Sequence, residues 1–98
     1  DVSMVPDKFY VSANYPNPFN PSTKIDIHTV ERNYLKVQIV DVAGRLVNTL
    51  VDNELDAGYH VVRWNGLDVS GQSMPTGMYF IQVQSGERMS TQKIILLK

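Results

Sequence analysis

The amino-acid sequence predicts an all-β domain, an antiparallel β-sandwich of about seven short strands. Hydrophobic residues recur at every second position along most of the chain, which is the period of a strand with one buried face. Turn-forming residues interrupt these runs at intervals of about 8 to 12 residues, the usual spacing in a sandwich. No window of helical length combines an N-terminal cap, a hydrophobic stripe and a stop signal.

The first half of the chain contributes four predicted strands, at residues 9–12, 23–29, 35–39 and 45–51. The second of these gives the clearest signal, because Ile25 and Ile27 alternate with polar and charged residues. The third alternates in the same way and is followed by the turn residue Gly44. The first is expected at a sheet edge, and residues 32–34 are expected to form an exposed hairpin between the second and third strands.

The second half contributes three more strands, at residues 59–64, 78–83 and 88–97. The fifth strand is rich in β-branched and aromatic residues, and Asn65 and Gly66 end it. Thr76 and Gly77 precede the sixth strand, and a break at Gly86 separates it from the seventh.

The alternation also predicts which side chains form the core between the two sheets. These are Phe19, Ile25, Ile27, Leu35, Val37, Ile39, Val62, Trp64, Tyr79, Ile81, Val83 and Leu96. Trp64 is the only tryptophan and offers the largest hydrophobic area on the chain. We interpret it as a structural residue rather than a ligand platform, since a buried tryptophan contributes several kcal/mol, about 3–5 against alanine.

The search for catalytic residues finds little. His28 alternates with isoleucines and is expected to face solvent, whereas His60 is in phase with Trp64 and is expected to be partly buried. Neither histidine has a partner at metal-ligand spacing, and no serine stands in a nucleophile motif or beside a base. The sequence therefore predicts no enzyme, no catalytic residue and no cofactor.

Two acidic segments could in principle offer oxygen ligands to Ca²⁺. Asp52, Glu54 and Asp56 are expected in one loop, and residues 68–72 resemble a calcium loop without its repeated carboxylates and closing glutamate. The alternative is that both segments are solvated turns in which acidic side chains bond local backbone. The turn interpretation is favoured, and no metal site is predicted.

Length and charge limit the classes of function. The 98 residues fit one small domain, and nine basic against ten acidic residues provide no basic surface for nucleic acid or anionic lipid. No hydrophobic run is long enough for a membrane-spanning helix, so membrane insertion is not expected. The absence of cysteine excludes disulfides and thiolate metal sites. Because the chain starts at Asp1 without a signal-peptide pattern, residues 1–8 are expected to be a linker from an upstream domain and residues 9–98 the sandwich.

Residues 14–23 form the most unusual segment of the chain, with prolines at positions 16, 18 and 21. Proline removes a backbone donor and favours extended conformations in the residue before it. A flexible linker would not need Tyr15 and Phe19. We therefore predict an ordered, extended crossing between the two sheets, with Phe19 inserted into the core.

Several segments resemble the C-terminal sorting domain of the type IX secretion system. Residues 14–25 read Asn-Tyr-Pro-Asn-Pro-Phe-Asn-Pro-Ser-Thr-Lys-Ile, which is similar to the opening of that domain. The resemblance continues through residues 40–47, 55–66, 71–80 and 93–98 in the same order, and it covers residues 9–98. The same signatures are similar to the immunoglobulin-like domain of flagellar hook-capping proteins.

The resemblance implies an immunoglobulin-like sandwich that catalyses nothing and acts as a sorting signal. Domains of this family follow a cargo domain, are recognised after export to the periplasm by an outer-membrane secretion translocon, and are often removed by a sortase-like protease. The cargo is then attached to the cell surface or released. For this chain the implied state is a monomer in a secreted or cell-surface protein.

The resemblance also suggests two sets of residues. The end of the last strand could be recognised by the partner, by strand addition along residues 90–98. The partner-recognition residues are Lys93, Ile94, Ile95, Leu96, Leu97 and Lys98. The structural motif residues are Asn17, Pro18, Phe19, Asn20, Pro21, Trp64, Gly66, Gly77 and Tyr79.

Two alternatives remain open from the sequence. One is an accessory module of a secreted hydrolase, either a spacer or a carbohydrate binder. A carbohydrate binder would use exposed aromatic residues, and the candidates are Tyr10, Tyr15, Tyr34 and Tyr59. The other is a structural relative of the hook-capping proteins, which predicts self-assembly.

Overall fold

The computed structural model describes residues 9–98, and in this range the chain is all-β, without a helix. The predicted linker at residues 1–8 lies outside the described residues. The seven strands are β1 (Tyr10–Val11), β2 (Thr23–Thr29), β3 (Asn33–Asp41), β4 (Leu46–Leu55), β5 (Gly58–Trp64), β6 (Gly77–Ser85) and β7 (Arg88–Leu96). The number and positions of the strands agree with the prediction, although several strands are longer than predicted.

The strands form two antiparallel sheets that pack face to face as an immunoglobulin-like sandwich. The three-stranded sheet has the order β1-β2-β5, and the four-stranded sheet has the order β4-β3-β6-β7. Each inner face is built from every second residue. In the three-stranded sheet Ile25 lies opposite Val62, and in the four-stranded sheet Val37 lies opposite Val83.

The core contains every side chain that the alternation predicts. Trp64, Phe19, Ile27 and Ile39 are each at most 1% exposed. Val47 and Ile94 join the core cluster in addition. At roughly 25 cal/mol per Å² of buried hydrophobic surface, this shared interior is the main stabilising contribution to the fold.

The prediction for His28 is wrong. The side chain points away from the interior, as its phase requires, but only 4% of the residue is exposed. Its cross-strand neighbours Tyr10 and Tyr59 cover it, with ring centroids 6.2 and 4.7 Å from the imidazole. The prediction for His60 is confirmed, since this residue is half-buried and its Nε2 lies 2.9 Å from the carbonyl oxygen of Asp56.

The expected hairpin at residues 32–34 is also wrong. β2 and β3 belong to different sheets, so the connection between them crosses from one sheet to the other. Arg32 forms ion pairs with Glu54 and Asp56 beside the turn that joins β4 to β5. Alternation within each strand cannot show this, because it does not say which strands are paired.

Candidate functional site

The proline-containing segment is ordered and places Phe19 in the core, as predicted, but it does not lead from one sheet to the other. It connects β1 to β2 of the three-stranded sheet and contacts β7 of the four-stranded sheet in its middle, and we call residues 14–23 the crossing segment for that contact. At its start, the backbone N–H groups of Tyr15 and Lys24 each donate to the other residue's carbonyl, at 2.9 and 3.0 Å, next to the three-stranded sheet. In its middle, the N–H of Phe19 donates to the carbonyl of Ile95 at 2.9 Å and the N–H of Leu97 donates to the carbonyl of Phe19 at 3.0 Å. The segment therefore joins the edges of both sheets.

Polar side chains anchor the start of the crossing. The amide of Asn14 donates to the hydroxyl of Thr23 at 3.0 Å, and this hydroxyl donates to the carbonyl oxygen of Pro16 at 2.8 Å. Gln92 of β7 accepts from the backbone N–H of Asn14 at 3.1 Å and donates to the carbonyl of Ser12. Because buried polar groups need partners, these bonds fix the path of the segment. The sequence prediction did not single out Asn14, Thr23 or Gln92.

Phe19, Trp64 and Tyr79 form an aromatic cluster at this end of the core. The ring of Trp64 lies 5.6 Å from that of Phe19 and 5.3 Å from that of Tyr79, the latter edge-on at 69°. Such tilted and edge-on pairs are favoured by the ring quadrupoles. The indole N–H donates to the carbonyl oxygen of Leu67 at 2.9 Å, which satisfies the one polar group that the ring buries. Trp64 therefore has the structural role predicted for it.

The hydroxyl of Tyr79 donates to the carbonyl oxygen of Pro75 at 2.6 Å. Burial raises the pKa of this phenol, and the carboxylate of Asp41 raises it further. The hydroxyl therefore remains a donor, and the bond fixes the loop that precedes β6.

Gly66 closes the same end of the sandwich. Its φ of +78° is in the left-handed region, and a Cβ at this position would lie 3.2 Å from the carbonyl oxygen of Pro21. The side chain of Leu96 would lie 3.6 Å from the same added Cβ. Gly77 has no comparable requirement, because its φ is ordinary and the space around it is open.

The three X–Pro bonds of the crossing, at Pro16, Pro18 and Pro21, are cis.

The predicted partner-recognition residues divide between the two faces of β7. Ile94 and Leu96 are buried in the core, whereas Lys93, Leu97 and Lys98 are exposed and Ile95 is half-buried. The outer edge of the strand is occupied at Ile95, because its N–H donates to the side-chain oxygen of Asn17 at 3.1 Å and its carbonyl accepts from Phe19. Strand addition by a partner is therefore blocked at this end of β7.

The acidic segments bond their own surroundings. Asp52 and Glu54 lie on β4 rather than in a loop. Asp52 accepts from the hydroxyl of Tyr34 at 2.7 Å, a bond that raises the pKa of that tyrosine. The hydrogen bond that Arg32 donates to Asp56 raises the pKa of the arginine, and the negative charge of Glu54 raises it further.

The segment at residues 68–72 is a turn built around one carboxylate. Asp68 accepts from the hydroxyl of Ser70 at 2.8 Å and from the N–H groups of Ser70 and Gln72 at 2.9 Å each. These bonds lower the pKa of Asp68, and the bond from the Ser70 hydroxyl has the largest effect. The carboxylate of Asp68 thus bonds the local backbone and Ser70, as the turn interpretation predicts. Within residues 9–98 no group of three or more metal-ligating side chains could hold an ion.

The four candidate tyrosines do not share one surface. Tyr10 and Tyr59 lie on the outer face of the three-stranded sheet, Tyr15 lies in the crossing and Tyr34 is on β3.

The part of the chain described by the structure also contains an open depression of about 280 Å³, where Phe9 enters the sandwich. Thr29 lines it, and its buried hydroxyl has no hydrogen-bond partner. The described residues include no helix long and hydrophobic enough to cross a membrane.

Comparison with known proteins gives a family match over residues 13–97, to the family described as the secretion system C-terminal sorting domain. Two curated relatives, both named basal-body rod modification protein FlgD, come from Salmonella typhimurium and Salmonella typhi. Each is 42% identical over 45 residues, which is 46% of this chain and 19% of the relative. The match thus spans about a fifth of their length.

Three solved structures share the fold. Dimeric latent PorU from Porphyromonas gingivalis has a TM-score of 0.68 at 20% identity, over 98% of this chain and 10% of its own. PorZ from the same organism, a surface component of the type IX secretion system, has a TM-score of 0.58 at 22% identity, over 94% and 12%. FlgD from P. aeruginosa has a TM-score of 0.63 at 23% identity, over 97% and 74%.

Proposed function

Because the chain belongs to the family of secretion system C-terminal sorting domains, we propose that it directs a cargo domain through the outer membrane by way of the type IX secretion system. Domains of this family mark proteins that are exported to the cell surface or secreted. The observation that carries the proposal is the family match over residues 13–97, which includes all strands except β1.

The chain itself has the role of a signal and not of an enzyme in this proposal. The family motif residues Phe19, Trp64 and Gly66 lie together at one end of the fold, where their role is to pack the core and close the chain. The partners we propose are the outer-membrane translocon and a sortase-like protease, and the cargo is attached to the surface or released. The domain acts as a monomer.

A folded surface, rather than a linear peptide, is the feature that the partner recognises in this proposal. Two of the six predicted recognition residues are buried, since Ile94 and Leu96 are at most 1% exposed. A partner that needed these side chains would first have to unfold the sandwich. The exposed side chains of the same strand are accessible without any unfolding.

The proposal is tested in a bacterium that has a type IX secretion system, with a reporter protein fused in front of the chain. The fraction of reporter outside the cell is compared for the intact chain and for a chain that lacks residues 89–98. We expect the deletion to keep the reporter inside the cell. Continued export of the truncated fusion would overturn the proposal.

Folded recognition is tested separately with Trp64→Ala in the same fusion. The substitution removes the centre of the aromatic cluster, and we expect it to unfold the domain and to stop export. Export of a fusion whose domain is shown by circular dichroism to be unfolded would instead support recognition of a linear peptide.

A further inference from the structure

The outer face of the four-stranded sheet changes character along its length. On β6 the residues Tyr79, Ile81 and Val83 face the core, so Met78, Phe80, Gln82 and Gln84 face outward. The register places Phe80 between Val40 of β3 and Lys93 of β7, and it places Met78 opposite Ile95. These pairs define which outward side chains are neighbours.

One end of this face is hydrophobic, and we call it the apolar outer patch. It consists of Val40, Leu46, Met78, Phe80 and Ile95, and of Leu97, which follows β7 in the phase of Ile95. Leu46, Leu97 and Met78 are 58%, 49% and 41% exposed. The patch is contiguous because Val40 lies between Leu46 and Phe80 on the neighbouring strands. Val40 faces outward, yet these neighbours leave it only 7% exposed.

The other end of the same face is mainly polar. Its outward residues on the three neighbouring strands are Lys36, Gln38, Gln82, Gln84 and Thr91, together with the exposed Tyr34 and Met89. Outer faces of antiparallel sandwiches are commonly polar throughout. Single exposed hydrophobic residues need no explanation, whereas a contiguous patch with a polar border is typical of an interaction site.

The charges differ between the two sides of the patch: beside Leu46 lie the ion-paired Asp41 and Arg45, whereas the β7 side carries lysines alone. Lys93 lies in the same cross-strand row as Phe80, and Lys98 follows Leu97. No outward position of β3, β6 or β7 carries a carboxylate, and the ion pairs among residues 9–98 include neither lysine. A complementary partner would therefore present carboxylates around a hydrophobic surface.

The edges of this sheet are poor alternatives for recognition. The edge of β7 is closed at Ile95 by the crossing segment. β4, at the opposite edge, has register shifts at two points along its pairing with β3, and it carries Asp52 and Glu54 near its end. Irregularities and charges of this kind oppose strand addition. The exposed residues at the end of β7 are thus accessible from the face and not from the edge.

We propose that the apolar outer patch is the surface by which the secretion machinery binds this domain, through a machinery protein whose hydrophobic contact surface is bordered by carboxylates. This inference rests on the proposed sorting function and names its binding site. The patch supplies methionine, phenylalanine and aliphatic contacts for the buried centre of the interface. Lys93 and Lys98 lie at its border and set specificity and association rate.

The test uses the reporter fusion with the complete chain and compares charges placed on the two ends of one face. The patch variants are Met78→Glu and Leu97→Glu, singly and together, and the matched controls are Gln84→Glu and Thr91→Glu. We expect the double patch variant to lower the exported fraction at least tenfold and the controls to leave it within twofold. Lys93→Glu should lower it by a smaller factor, because it changes the border alone.

Folding is checked on the same variants as purified chains, from their thermal unfolding midpoints. If a glutamate variant unfolds, the neutral pair Met78→Gln and Leu97→Gln replaces it, since both side chains are already at least 41% exposed. Loss of export with an unchanged midpoint supports the binding site.

Two other outcomes overturn the inference. If the patch variants are exported normally while deletion of residues 89–98 blocks export, the patch is not the binding site although the sorting function stands. If sedimentation shows that the purified chain dimerises and that Met78→Glu dissociates the dimer, a second copy covers the patch. Export without residues 89–98 would instead contradict the sorting function itself.

Discussion

The side-chain oxygen of Asn17 accepts a hydrogen bond from the backbone N–H of Ile95 at 3.1 Å, across 78 positions of the sequence. This bond and the two backbone bonds of Phe19 attach the crossing segment to the last strand. The crossing thus acts as a short parallel strand at the edge of the four-stranded sheet. An edge that would otherwise offer unpaired N–H and C=O groups is thereby protected.

We predict that Asn17→Ala destabilises the domain by about 1 kcal/mol, the usual net contribution of one hydrogen bond. Urea unfolding measures the loss, and hydrogen exchange at the amide of Ile95 should become faster. Asn20→Ala in the same segment is the control, because Asn20 is exposed and makes no hydrogen bond within the described residues. Equal stability of the two variants would show that the Asn17 bond contributes nothing.

We predict that Gly66→Ala is more destabilising than Gly71→Ala. Both glycines have φ in the left-handed region, at +78° and +89°, which costs a residue with a Cβ about 1–2 kcal/mol. Only at Gly66 would the new Cβ also meet backbone, 3.2 Å from the carbonyl oxygen of Pro21. Denaturant midpoints of the two variants measure the difference, and equal midpoints would mean that the close approach to Pro21 relaxes freely.

Two buried threonines should respond in opposite directions to valine. The hydroxyl of Thr29 has no partner, so Thr29→Val should stabilise the fold by about 1 kcal/mol by removing an unsatisfied polar group. The hydroxyl of Thr23 accepts from Asn14 and donates to Pro16, so Thr23→Val should destabilise by about 1–3 kcal/mol. Thermal unfolding of both variants gives the signs. Destabilisation by Thr29→Val would indicate that its hydroxyl is satisfied in solution.

Acid stability should depend on Asp41, the last residue of β3, whose carboxylate holds the turn to β4. Hydrogen bonds from the N–H groups of Arg45 and Ala43, together with the Arg45 guanidinium, lower the pKa of this carboxyl below its ordinary value of 3.8. A lowered pKa in the folded state stabilises the fold above the unfolded pKa, near pH 4, and this contribution is lost as pH falls through the folded pKa.

Asp41→Asn should therefore weaken the pH dependence of the unfolding free energy below about pH 4, where the carboxylate of the wild-type chain takes up its proton. Urea unfolding at several pH values measures this slope. Glu87→Gln is the control, since its exposed carboxylate makes no hydrogen bond within residues 9–98. A slope for Asp41→Asn equal to that of wild type would contradict the role of the turn.

The positions of the strands, the fold class and most of the core could be predicted from the sequence, because each depends on local alternation. Ile25, Val37 and Ile81 are buried in the phase that their neighbours predict, and the aromatic residue of the crossing is in the core. The resemblance over residues 14–25 and the later segments also identified the family, which the match over residues 13–97 confirms.

The pairing of the strands and the side chains that cover them could not be predicted in this way. Alternation gives the face of His28 but not the two tyrosines that bury it, and it does not show that residues 32–34 cross between sheets. It likewise gives no sign that Asn17 closes the edge at Ile95 or that Leu46, Phe80 and Leu97 share one surface. These are contacts between residues far apart in the chain, and they form through the pairing and packing of whole strands, which local periodicity does not encode.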